Sequence, residues 1–159
     1  MKHVLVLRAK NHHGVLGKIT NLLRRRNFNI EGLTAGHTEQ NGISHVTVAF
    51  SSKDDFNAEQ AKKQLSKIIE VLSVKDVESS SVAVREIGLF CVHCNEKLKP
   101  ALIDAIKLFE GKIIAVGKKS ISCEITGTPK RIDDFFALVK NFGIREFQRS
   151  SVVAIKSGD

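Results

Sequence analysis

The period of apolar residues changes several times along the first half of the chain. Val4 to Leu7 is a continuous apolar run inside His3–Ala9, which reads as a strand. Val15, Leu16, Ile19, Leu22 and Leu23 then recur at helical spacing, predicting a helix over Val15–Arg26. Asn29–His37 reads as extended, and Glu39-Gln40-Asn41-Gly42 carries the Asn-Gly hairpin signal. Ile43–Phe50 follows as a strand with Val46 and Val48 on one face. Ala58–Ile69 places Ala61, Leu65, Ile68 and Ile69 on one helical stripe, and Val71–Val77 closes the unit. The order is βαββαβ, the ferredoxin-like arrangement. It predicts an antiparallel four-stranded sheet with two helices on one face, leaving the other face and an edge strand free to pair.

The second half repeats this rhythm. Val84–Val92 reads as a strand and Lys99–Phe109 as a helix with Leu102, Ile103, Ile106 and Phe109 on its apolar stripe. Lys112–Val116 and Ile121–Thr126 are strands around a Gly117-Lys118-Lys119 turn. Thr128 is placed to cap a helix with Pro129 at its first position; Ile132, Phe135, Phe136 and Val139 form its buried face. Gly143 stops that helix, and Ile144–Lys156 returns as one strand. The polar run Glu78-Ser79-Ser80-Ser81 has linker character. The fold class expected is α+β: two ferredoxin-like βαββαβ domains in tandem, residues 1–78 and 79–159.

Composition changes this picture little. With 42% hydrophobic and 26% charged residues, the chain is that of an ordinary globular protein. With nine Phe and no Trp or Tyr, its cores are mostly aliphatic. No apolar run approaches the roughly 20 residues of a membrane span, and the N-terminus lacks the order of a signal peptide. Three cysteines, an odd count, argue against a disulfide framework. A cytoplasmic location and no membrane partner are therefore expected.

The net charge of +8 raises nucleic acid as a partner. Its distribution points elsewhere. Arg24-Arg25-Arg26 closes a helix, where cations suit the negative end of the dipole. Lys62, Lys63 and Lys67 fit a solvated helix face. Gly14-Val15-Leu16-Gly17 matches the Gly-x-x-Gly loop of KH nucleic-acid modules, but there the loop joins two helices and here it follows a strand.

No catalytic constellation is visible. Asp54-Asp55, Asp133-Asp134 and Glu31 are scattered, and neither a nucleophile elbow, a P-loop nor a dinucleotide fingerprint is present. Cys91-Val92-His93-Cys94 lacks a second cysteine pair for zinc, and on a strand Cys94 takes the face opposite Cys91 and His93. Buried strand cysteines are the simpler reading, and no metal is expected. The stretch that does suggest chemistry is the strand–glycine loop–helix passage around Gly14. It exposes backbone amides at a helix start, which suits a small anion such as a carboxylate. Asn11 and Asn29 lie beside it in sequence, and His12 and His13 are either solvated loop residues or reach a ligand pocket.

Asn11-His12-His13-Gly14-Val15-Leu16 and Arg26-Asn27-Phe28-Asn29-Ile30-Glu31-Gly32-Leu33-Thr34 resemble the ACT domain of the acetolactate synthase small subunit. Arg85-Glu86-Ile87-Gly88-Leu89, Phe109–Val116, Gly127–Phe135 and Gly143–Ser150 resemble successive blocks of that family's C-terminal domain. The likeness runs in order along essentially the whole chain.

The resemblance implies a regulatory subunit with no active site. It would activate a large catalytic subunit and confer feedback inhibition by valine in branched-chain amino acid biosynthesis. Thiamine diphosphate, magnesium and FAD are expected on that catalytic subunit and none on this chain. It implies a homodimer through the ACT domains, with valine at their interface held by Asn11, His12, His13, Gly14, Val15, Leu16, Asn29, Ile30 and Thr34.

Overall fold

The computed structural model describes residues 2–51, 55–77 and 82–156. The first half builds β1 (Lys2–Lys10), α1 (Val15–Arg25), β2 (Asn29–His37), β3 (Ile43–Ser51), α2 (Asp55–Leu65) and β4 (Val71–Asp76). The second half builds β5 (Val82–His93), α3 (Lys99–Leu108), β6 (Lys112–Val116), β7 (Ser120–Gly127), α4 (Pro129–Val139), β8 (Ile144–Arg149) and β9 (Val153–Lys156). Strand order is β2-β3-β1-β4 in one sheet and β6-β7-β5-β8 in the other. All the recorded pairings along these two paths are antiparallel. These are two ferredoxin-like α+β sheets with identical topology.

On β3 the face read from the sequence, with Val46 and Val48 together, is the one that meets the helices. In the first half Leu5, Leu7, Val46, Val48 and Phe50 meet Val15, Ile19 and Leu23 of α1 and Ala58, Ala61 and Leu65 of α2. Spacings of three and four residues within each helix keep these contacts on one stripe. In the second half Phe90, Val92, Ile121, Cys123 and Ile125 meet Leu102 and Ile106 of α3 and Ile132, Phe135 and Val139 of α4. Phe90 and Phe135 pack edge to face with ring centroids 4.8 Å apart.

Two helix ends show why the elements stop where they do. Asn27 adopts φ 59, and the Phe28 N–H reaches back to the Leu23 carbonyl at 3.1 Å, closing α1 in a left-handed cap. Thr128 Oγ1 accepts from the Arg131 N–H at 3.3 Å at the start of α4, with Pro129 beside it. Thr128→Ala should lower stability by about 1 kcal/mol, read by chemical denaturation.

Two expectations are corrected. The second helix ends at Leu65, not Ile69. Successive backbone bonds, from Lys67 N–H to Gln64 O and from Ile68 N–H to Leu65 O, wind the chain into a tight turn. That turn leaves Ile68 partly buried and swings Ile69 out of the stripe, 88% exposed. The last strand is broken: β8 ends at Arg149 and β9 starts at Val153. The Ile87 N–H donates to Ser150 Oγ at 2.9 Å, taking the place of a ladder partner at the break.

The chain packs as two compact units, Met1–Ala83 with Ser151–Asp159, and Val84–Ser150. Strand β9 pairs with β5, whose first two residues belong to the same unit as β9. On β2, a Cβ added at Gly32 would lie 2.8 Å from the Ser151 Cβ. The chain therefore returns to the first unit at its end, close against β2. The serine run at 78–81 and Asp54 lie outside the described residues.

Candidate functional site

Strand β1 ends at Lys10, and the chain must turn before α1 can open. Asn11 N–H donates to Gly42 O at 2.7 Å, and His12 N–H donates to Lys10 O at 3.1 Å. The first of these bonds ties the loop to the Asn41-Gly42 hairpin. Gly14 then adopts φ +82 as the residue preceding α1, a left-handed conformation that a side chain disfavours. No side chain caps α1 and no acidic residue stands in its first turn. Val15 N–H donates to His12 O at 3.4 Å, so the amides of Leu16 and Gly17 and the positive end of the helix are left for a ligand.

The pocket at this helix start has a volume of about 290 Å³. Such a volume suits a ligand of few heavy atoms. Of the residues expected to bind, it gathers Asn11, His12, Gly14, Val15 and Leu16. His13 is exposed in the same loop and is not among its lining residues. Thr34 pairs with Thr47 on β2, half-buried, and does not line the pocket either.

Asn29 and Ile30 lie at the other end of β2, paired with Ser51 and Phe50, and Ile30 packs against the first core. The run from Asn29 to His37, which does line the pocket, spans roughly 25 Å at about 3.3 Å per residue. One copy of the chain therefore cannot bring Asn11 and Asn29 onto one small ligand.

The other wall comes from residues the sequence reading passed over: Ala35, Gly36 and His37 on β2, and Ser44 and Val46 on β3. Ala35 pairs with Val46 and His37 with Ser44, directly beside the hairpin that Asn11 grips. The Asn-Gly signal held this information, because a turn at 38–42 must place 35–37 against 43–46. The pocket is thus a carboxylate-ready helix start facing a short apolar and hydroxyl-bearing sheet edge. Because β2 is an edge strand, the pocket lies beside an edge to which a further strand can add.

Other candidate chemistry does not assemble. Among the described residues no group of three or more His, Cys, Asp or Glu could hold a metal ion. Cys94 and Cys123 are buried. Burial, and then the neighbouring Cys91, push the Cys123 thiol up to about 11. A thiol held in that range is a core side chain, not a nucleophile. The Gly-x-x-Gly signature dissolves too, since Gly17 lies within α1. Lys18 is engaged in an ion pair with Glu70. The hydrogen bond from Lys18, with Glu70's own backbone N–H, holds the Glu70 carboxyl below its ordinary range.

Comparison with known proteins bears on what such a chain does. Residues 5–73 match the family model "AHAS small subunit-like ACT domain", and residues 85–158 match "Small subunit of acetolactate synthase". A probable acetolactate synthase small subunit from Archaeoglobus fulgidus is 36% identical over 159 residues, covering 100% of this chain and 99% of that protein. The acetolactate synthase small subunit of Bacillus subtilis is 34% identical over 158 residues, covering 99% and 92%. The crystal structure of the small subunit from Thermotoga maritima superposes with a TM-score of 0.85 at 30% identity, over 100% of this chain and 99% of that one. The chain belongs to the acetolactate synthase small-subunit family: it is a regulatory subunit in branched-chain amino acid biosynthesis, not itself the enzyme.

Proposed function

We propose that the chain binds valine at a two-fold interface between the N-terminal units of two copies, and that it activates the catalytic subunit and confers feedback inhibition on it. The carrying observation is the uncapped start of α1 beside the edge strand β2. Valine's carboxylate would sit on the first-turn amides behind Gly14, and its side chain against Leu16 and Ala35. Its ammonium needs acceptors, and Asn11 supplies one from the same chain.

Asn29 and Ile30 complete the site only from the partner. If two β2 edges pair antiparallel about an axis near Leu33, Asn29 of one copy falls opposite His37 of the other. The distance of roughly 25 Å inside one chain is then closed by symmetry. The cofactors of the reaction, thiamine diphosphate, magnesium and FAD, would stay with the catalytic subunit.

Calorimetric titration of valine, leucine and isoleucine into the purified chain tests this reading. Valine should bind most tightly. Leucine should bind more weakly without being excluded, since one methylene discriminates by about 1–3 kcal/mol. Asn11→Ala removes a charge-assisted hydrogen bond worth roughly 1.5–3 kcal/mol, so affinity should fall roughly 10- to 150-fold. Absence of heat with all three amino acids, or a monomer at working concentration, would overturn the proposal.

A further inference from the structure

Helix α1 carries a second feature at its far end. Among the described residues Ile69 has the highest exposure of the large apolar side chains, 88%, yet it sits on a fixed turn and not on a loose loop. Lys67 N–H to Gln64 O at 3.1 Å, Ile68 N–H to Leu65 O at 3.2 Å and Val71 N–H to Ile68 O at 2.9 Å hold that turn. The Lys18–Glu70 ion pair ties it to α1. Ile68 is anchored against the core, so the turn can only present Ile69 outward.

Around Ile69 lies a shallow concavity of about 800 Å³, floored by Leu22 and Ile68 and flanked by Arg24, Arg25 and Lys67. All three cations are exposed, and none is ion-paired among the described residues. Lys18 and Glu70 neutralise each other, so the rim is net positive.

The chemistry of this surface selects its occupant. A nucleic acid would use the cations but leave Ile69 facing water, and no aromatic side chain lines the concavity for a base to stack on. An apolar centre inside a charged rim is instead the anatomy of a protein interface, with arginine among the favoured anchors.

We propose that this surface docks a protein partner presenting carboxylates around an apolar recess, and that this partner is the catalytic subunit; this rests on the regulatory reading above. Gly14 and Gly17 line both this concavity and the effector pocket. The first turn of α1 is thus common to both sites. Valine occupancy and docking must then affect each other by the same factor if that turn shifts.

The test measures association of the full chain with its catalytic subunit by interferometry at low and high salt. It compares wild type with Ile69→Asp, Ile69→Ser and the double variant Arg24→Glu/Arg25→Glu. Each should weaken association about tenfold or more, and the charge reversal should also flatten the salt dependence. Valine affinity by calorimetry should be unchanged, because none of these residues lines the effector pocket. Association within about twofold of wild type for all three variants overturns the docking proposal and leaves the regulatory reading standing. Loss of single-stranded oligonucleotide binding by the charge-reversed variant, with partner association intact, also overturns it. If the wild-type chain fails to associate at all, the regulatory reading and the docking surface fall together.

Discussion

Arg149→Met should cost the Val84–Ser150 unit about 3–5 kcal/mol, a loss on the scale of a large core truncation. The reason is Glu86. Glu86 is 3% exposed on β5, and Arg149 Nε donates to its Oε2 at 2.5 Å. The same guanidinium donates through Nη1 to Asp133 Oδ1 at 2.7 Å and through Nη2 to the Pro129 carbonyl at 3.1 Å. One side chain on β8 therefore binds β5 and the first turn of α4.

Removing Arg149 leaves a buried carboxylate whose desolvation nothing offsets. Partial burial by itself pushes the Arg149 guanidinium down, but the bonds to Glu86 and Asp133 outweigh it and hold the group above its ordinary value. A raised cation contributes stability below its unfolded pKa and loses it only as pH climbs through the folded one. That window lies in strong alkali, so a pH scan near neutrality will not expose the pair, whereas substitution will. The double variant Glu86→Leu/Arg149→Met should recover much of the loss, since no uncompensated charge remains. Chemical denaturation with a double-mutant cycle checks both numbers. A loss under about 1 kcal/mol for Arg149→Met would mean that water reaches Glu86.

Nothing in the local sequence distinguishes Glu86 from a solvated strand residue. Its partner Arg149 lies 63 positions away, and only the pairing of β5 with β8 brings the two together. What was legible locally was whatever a single period decides. The stripes of α3 and α4, that of α1 apart from the exposed Leu16, and the buried face of β3 follow from spacing, because each element meets one core. The end of α2 was not legible, since Ile68 and Ile69 are both apolar and only the backbone bonds of the turn separate them. Nor was the return of Ser151 to Gly32, 119 positions apart and marked by no periodicity.

The site divides in the same way. The Gly14 turn and the amides behind it could be read from a strand, a glycine and a helix in succession. Ala35 to His37 needed the hairpin register.

Asn29 needed something further, a second copy of the chain, and this gives the sharpest expected result on function. Asn11→Ala and Asn29→Ala should each weaken valine binding roughly 10- to 150-fold when the variant pairs with itself, because every site then lacks one acceptor. Mixed in equal amounts and allowed to exchange subunits, the two variants should regain binding. In the mixed dimer one of the two sites combines both wild-type asparagines, while the other lacks both. The titration should then report near-native affinity at about half a site per mixed-dimer chain, and about a quarter of a site per chain overall if exchange is random. A site built within one chain predicts no recovery at any mixing ratio, since each chain would keep its own defect. Full recovery of all sites is likewise impossible under the two-fold arrangement. The stoichiometry of the mixture, more than either affinity, decides whether the helix start of one copy and the strand start of the other share a ligand.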